Sequence, residues 1–152
     1  KQKTAYEIYQ CDWSSDVCSS DLNVKLYLNG VLDGQGTGTY QIPTNTFVIG
    51  RSYPGYNGEY FTGNISNLRV VKDQALYTGT FTPATSPLTT SSVGTSGANV
   101  ASSITGTISL LTCQNNTFID NSSNNFVITS GSTTVKPVAV SPFTPKIGRA
   151  HV

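Results

Sequence analysis

The residues that could do chemistry lie in short clusters. The stretch CDWSSDVCSSDL, Cys11 to Leu22, holds two of the three cysteines and the only tryptophan, Trp13. Cys11 and Cys18, with Asp12 and Asp16 between them, could offer thiolates and carboxylates to zinc. Structural zinc sites, however, space paired cysteines by about two to four residues, and a small disulfide loop is the plainer alternative. A second cluster is RSYPGYNGEYF, residues 51–61, where Arg51, Tyr53, Tyr56, Asn57, Glu59 and Tyr60 crowd together. Aromatic faces can stack on sugar rings, while guanidinium, amide and carboxylate groups bond to hydroxyls. The alternative is that these tyrosines pack over the end of a scaffold and satisfy their hydroxyls locally. The third cysteine, Cys113 in SLLTCQ, sits alone in an apolar run and reads as a small buried hydrophobe. No histidine lies between 23 and 146 to activate it, so a nucleophile role is not expected.

The first cluster has a simpler origin. One choice of codons for Asp16–Leu22 is GAC GTG TGC TCT TCC GAT CTT. Its reverse complement, AAG ATC GGA AGA GCA CAC GTC, reads Lys-Ile-Gly-Arg-Ala-His-Val, which is Lys146–Val152. The codon TCA for Ser15 becomes TGA, a stop, where the chain ends. The two termini can therefore be sense and antisense translations of one DNA segment, and that segment resembles a common sequencing adapter. Residues 1–22 and 146–152 are expected to be adapter-derived, with Lys146 at the junction, and the chain beyond the 23–146 insert is set aside from fold reasoning. Independent reads of the source DNA should lack both termini. Reads that keep them would restore a genuine cysteine-rich terminus.

Between residues 23 and 146 the basic side chains are Lys25, Arg51, Arg69, Lys72, Lys136 and Lys146, against Asp33, Glu59, Asp73 and Asp120. A net charge of +2 is too weak for a nucleic-acid footprint or an anionic-membrane patch. No apolar run approaches membrane-spanning length. Thr, Ser, Asn, Gly, Val, Tyr and Phe dominate. Such residues suit pleated surfaces and turns, which points to an all-β chain of many short strands.

These strands must position the clusters. NVKLYLNGVLDG predicts a hairpin: Val24, Leu26 and Leu28 form one apolar face, and Asn29-Gly30 supplies a type I′ turn. Val31-Leu32 opens the return strand, followed by a Gly-rich connection, GQGTGTYQIPTN. TFVIG at 46–50 predicts a short buried strand. The loop at 51–61 is punctuated by Pro54-Gly55 and Asn57-Gly58. NISNLRVVK, 64–72, predicts the next strand, with a helical turn near 73–77 as an option. Residues 89–106 read as a flexible linker. TISLLTCQ predicts another strand, NTFIDNSSNNFVITS a hairpin around 121–125, and TTVKPVAV a last strand.

The ordered string KLYLNGVL, FVIG, GNISNLRVVKDQALYTGTFTP, SPLT resembles the C-terminal half of a laminin-G-like, concanavalin A-type module, over residues 23–88. The resemblance implies an antiparallel two-sheet jelly-roll sandwich, here incomplete, because the strands that normally precede KLYLNG are absent. The relatives it suggests are tandem modules of phage tail fibres and surface adhesins. Residues 107–145 are then the start of a second module or a spacer. A half sandwich should fold poorly alone, since it leaves open edges and an uncovered apolar face. The exception would be strands from 107–140 docking in place of the missing ones, with Leu110–Cys113 against Val70 or Ile49.

The resemblance implies a non-catalytic binding or structural module of a virion tail or cell surface. Its partners would be cell-surface carbohydrate and other modules of the same polypeptide or fibre, with no nucleic acid and no membrane insertion. Arg51, Tyr53, Tyr56, Asn57 and Tyr60 are its candidate glycan-binding residues. The fold class also contains glucanases, but such hydrolases need a pair of carboxylates flanking the scissile bond. Glu59 is the only glutamate between 23 and 146. No cofactor is expected. Calcium would need about six to eight oxygens, and Asp33, Asp73 and Asp120 are too scattered to assign as ligands.

Overall fold

The computed structural model describes residues 7–11, 22–38, 47–51, 60–132 and 134–137. Among the described residues five antiparallel strands form two sheets: β1 (Glu7–Cys11), β2 (Leu22–Leu28) and β3 (Val31–Gly38) in the order β1-β2-β3, and β4 (Leu68–Lys72) paired with β5 (Thr107–Thr112). No helix occurs among the described residues, so the optional helical turn at 73–77 is not formed. Asp73 instead takes a left-handed φ of 64°.

The predicted hairpin is present. Asn29 (φ 53°) and Gly30 (φ 79°) make the two-residue turn, and Leu28 pairs with Val31 across it. The buried face is the opposite of the one expected, however. Tyr27 is 1% exposed, whereas Leu28 and Val31 on the other face are 45% and 58% exposed. The reason lies in what docks there. Phe81 N–H donates to Gly30 O at 2.9 Å, and Lys25 Nζ donates to Thr78 O at 3.2 Å, so residues 76–81 lie across the face of Lys25 and Tyr27. Tyr27 meets Phe81 edge-on (centroids 5.5 Å, 65°), and Phe81 stacks on Tyr77 (3.9 Å, 12°). These rings and Leu76 form the core, flanked by Val71, Val93, Val100, Ala101 and Ile104. A tyrosine carries more apolar area into a core than an alternating-pattern reading credits it with.

β3 also runs further than expected, through the glycines of the supposed connection. Val24 pairs with Gly36 and Leu26 with Gly34, and the register skips Asp33 as a bulge. Conversely, Phe47 is 68% exposed and 47–50 joins no strand, so TFVIG is not a buried strand. The 64–72 strand shrinks to β4 because Asn67 is left-handed (φ 61°). Its side chain is committed elsewhere: Oδ1 accepts from Leu88 N–H at 2.6 Å and Nδ2 donates to Ser86 O at 3.3 Å.

The run 89–106, expected as a flexible linker, is a bonded strap. Arg69 donates to the carbonyls of Thr89 (2.9 Å), Ser92 and Val93 (3.4 Å), and Tyr77 OH donates to Val93 O at 2.8 Å. Thr78 N–H reaches Asn99 O and Ala101 N–H reaches Leu76 O, at 2.9 and 2.8 Å. Gln74 closes the far end, its Oε1 accepting from Thr105 and Gly106 N–H at 2.7 and 2.9 Å. Low-complexity composition hid this, because side-chain-to-backbone bonds leave no periodic signal.

The strap delivers β5 onto β4, with Val70 opposite Leu110 and Leu68 opposite Thr112. This is the docking expected only as the exception. Leu111 and Thr112 are each 1% exposed. The predicted hairpin beyond β5 is a turn without strands, and no strand forms among the described residues of 133–140.

β1 falls in the stretch expected to be adapter-derived, and its backbone pairs with β2 from Glu7↔Leu28 to Cys11↔Val24. Strand addition at an edge draws on main-chain bonds and so accepts many sequences.

Candidate functional site

Of the candidate glycan residues, the structure describes Arg51 and Tyr60; Tyr53, Tyr56 and Asn57 lie outside the described residues, as does Glu59. Arg51 and Tyr60 form an isolated antiparallel bridge, reinforced by Phe61 N–H donating to Gly50 O at 2.9 Å. Gly50 is left-handed (φ 80°), a conformation that turns the chain into this neck at little cost for glycine. The two ends of the loop are thus pinned side by side. Tyr60 is 69% exposed and Arg51 is exposed, so an aromatic face and a guanidinium meet solvent at the neck. For Tyr60, packing over the scaffold is not what is observed.

Cys11 is described only in its backbone, and Cys18, Asp12, Asp16 and Trp13 lie outside the described residues. Cys113 is a half-buried free thiol with a left-handed φ of 59°. Burial pushes its thiol up, and the neighbouring Thr112 side chain offsets this in part. That favours the protonated, weakly nucleophilic form.

The carboxylates follow separate fates. Asp33 and Asp73 are exposed, whereas Asp120 is 2% exposed. Sequence reasoning treated Asp120 as an ordinary turn residue. In the fold its Oδ1 accepts from Leu111 N–H (3.0 Å) and Ser122 N–H (2.9 Å), and its Oδ2 accepts from Ser122 OH and Phe126 N–H, both at 2.9 Å. An Asp two residues before a Ser in an Asn/Ser run is a common turn signal; the bond to Leu111 is tertiary and has none. Burial pushes the carboxyl up, but the Phe126, Ser122 and Leu111 donors outweigh it and hold it below the usual range. A depressed native value means the stabilisation is full above the unfolded value of about 3.9. It is lost as pH falls through the lower native value. Acid titration should therefore weaken the wild type below about pH 4, and Asp120→Asn should remove that component. A denaturant midpoint followed from pH 7 to pH 2 in both proteins checks this.

A shallow groove of about 440 Å³ lies beside this turn, lined by Pro87, Thr89, Thr90, Gln114, Asn115 and Asn121 among others. Its amides are engaged internally: Gln114 donates to Leu88 O and accepts from Asn121 Nδ2, while Asn115 Oδ1 accepts from Thr117 N–H. No group of three His, Cys, Asp or Glu side chains among the described residues could hold a metal ion.

Residues 13–79 match the laminin G family model described as the concanavalin A-like lectin/glucanases superfamily. This part of the chain is similar to that superfamily. The two antiparallel sheets agree with it and make up an incomplete all-β sandwich. The match takes in 13–22, which the codon argument had set aside, and stops short of residue 88. It includes the whole 51–61 loop and excludes the strap and β5. None of the curated proteins and none of the solved structures matches the chain.

Proposed function

We propose that this chain is a non-catalytic binding module that recognises cell-surface glycans through the loop between Arg51 and Tyr60. The bridged neck carries the reading: it holds an exposed tyrosine ring beside an exposed guanidinium on a pinned base. Loops on a rigid scaffold are where such folds place recognition. Similarity of residues 13–79 to a superfamily that includes lectins is compatible with it. The superfamily also includes glucanases, but hydrolysis is the weaker reading. Both oxygens of the buried Asp120 are taken up by internal donors, and Asp33 and Asp73 sit on different segments. The setting we propose is a phage tail or a surface adhesin, from the likeness of the motif string to such tandem modules.

Tyr60→Ala and Tyr56→Ala should each weaken binding on a glycan array by about 1–3 kcal/mol, the scale of a hot-spot aromatic. Tyr60→Ala should change stability by no more than about 0.5 kcal/mol, since its ring is exposed. Lost stability with unchanged binding would assign the tyrosines to packing. A wild-type chain that binds no glycan would make the module a structural spacer.

A further inference from the structure

We propose that the turn 120–126 is a plug on the open edge of β5, and that withdrawing it exposes this edge to strand addition by a second copy of the chain. Among the described residues β5 is paired with β4 along one edge only. Backbone groups on its other edge are met by the turn. Leu111 N–H donates to Asp120 Oδ1 at 3.0 Å, and Leu111 O accepts from Asn121 N–H at 2.7 Å. Ser109 O accepts from Asn124 Nδ2 at 2.9 Å, with Ser122 Oγ beside it at 3.3 Å. The turn thus supplies, largely from side chains, the donors and acceptor that a neighbouring strand would supply. Asp120 holds the turn together through Ser122 and Phe126.

The segment under the plug is well suited to pairing. TISLLT has no charge, no proline and no glycine, which is the composition of a hazardous edge. Folds often cover such an edge with a loop. A second copy is the natural occupant. Two identical edges pair antiparallel about a two-fold axis, so each Leu111 and Ser109 finds the same groups on its partner.

The test uses the full chain carrying Asp120→Asn, whose amide nitrogen cannot accept. Hydrogen exchange at the Leu111 amide should speed up about tenfold or more in dilute solution, as expected for a local opening. Sedimentation velocity should show a dimer as concentration rises, with Leu111 exchange slowing again as it forms. Adding Ser109→Lys, which places a charge on the edge, should restore the monomer. A D120N chain that stays monomeric, a Leu111 amide that exchanges as in wild type, or a dimer that survives Ser109→Lys would each overturn the proposal. Should D120N unfold, Asn124→Ala, which strips the amide bond to Ser109 and leaves the donors to Asp120 in place, carries the test through the same readouts.

Discussion

Phe81→Ala should destabilise the fold by about 3–5 kcal/mol, the usual cost of emptying a buried phenylalanine site. Phe81 is 8% exposed and touches both other rings of the core, stacked on Tyr77 and edge-on to Tyr27. Its ring joins elements that otherwise share little. Tyr27 belongs to the first sheet, while Tyr77 follows the second and bonds the strap at Val93. Aromatic pairs add about 0.5–1.5 kcal/mol beyond area burial, so losing both places the expected effect at the upper end. Against a typical domain stability of about 5–15 kcal/mol, the variant would be near its unfolding limit at room temperature. Chemical denaturation checks this. A midpoint shift worth less than about 1.5 kcal/mol would mean that Leu76 and Val100 close the gap, and that the ring is not what joins the sheets.

Gly30→Ala should cost about 3 kcal/mol, from a left-handed residue made non-glycine and from overpacking. Gly30 has φ 79°, and an added Cβ would lie 1.9 Å from Phe81 O, a backbone atom that cannot rotate away. The carbonyl of Gly30 accepts from Phe81 N–H, so relieving the clash also breaks the bond that docks the hairpin on the core. Gly34→Ala is the control. A Cβ there meets nothing within 4 Å, so the change should stay within about 0.5 kcal/mol. Equal effects at both positions would show a general response to losing glycine rather than a close approach at Gly30. Thermal unfolding of the two variants side by side separates the cases.

Local chemistry accounts for what was legible in the sequence. The Asn29-Gly30 turn needs only two positive-φ residues between alternating strands, and both dihedrals are local. β5 was legible as a run of β-branched and apolar residues, and the all-β class as a composition. The loop at 51–61 was legible from Pro54-Gly55 and Asn57-Gly58 within it, whereas the bridge between Arg51 and Tyr60 did not announce itself.

What tertiary structure decided was which of these pieces face each other. The alternating pattern of β2 marked Val24, Leu26 and Leu28 as the inner face, but 76–81 docks on the other face and buries Tyr27. Residues 89–106 are poor in apolar side chains, and bonds to Arg69, Gln74, Tyr77 and the backbone of Leu76 and Thr78, all distant in sequence, turn them into a strap. Asp120 looks like any turn residue until Leu111 N–H meets its carboxylate from nine positions away. Turn dihedrals and strand propensities act within a few residues, so the sequence alone determined them. Choices of face, edge and buried polar partner depend on contacts between distant segments, whose energies no local pattern encodes.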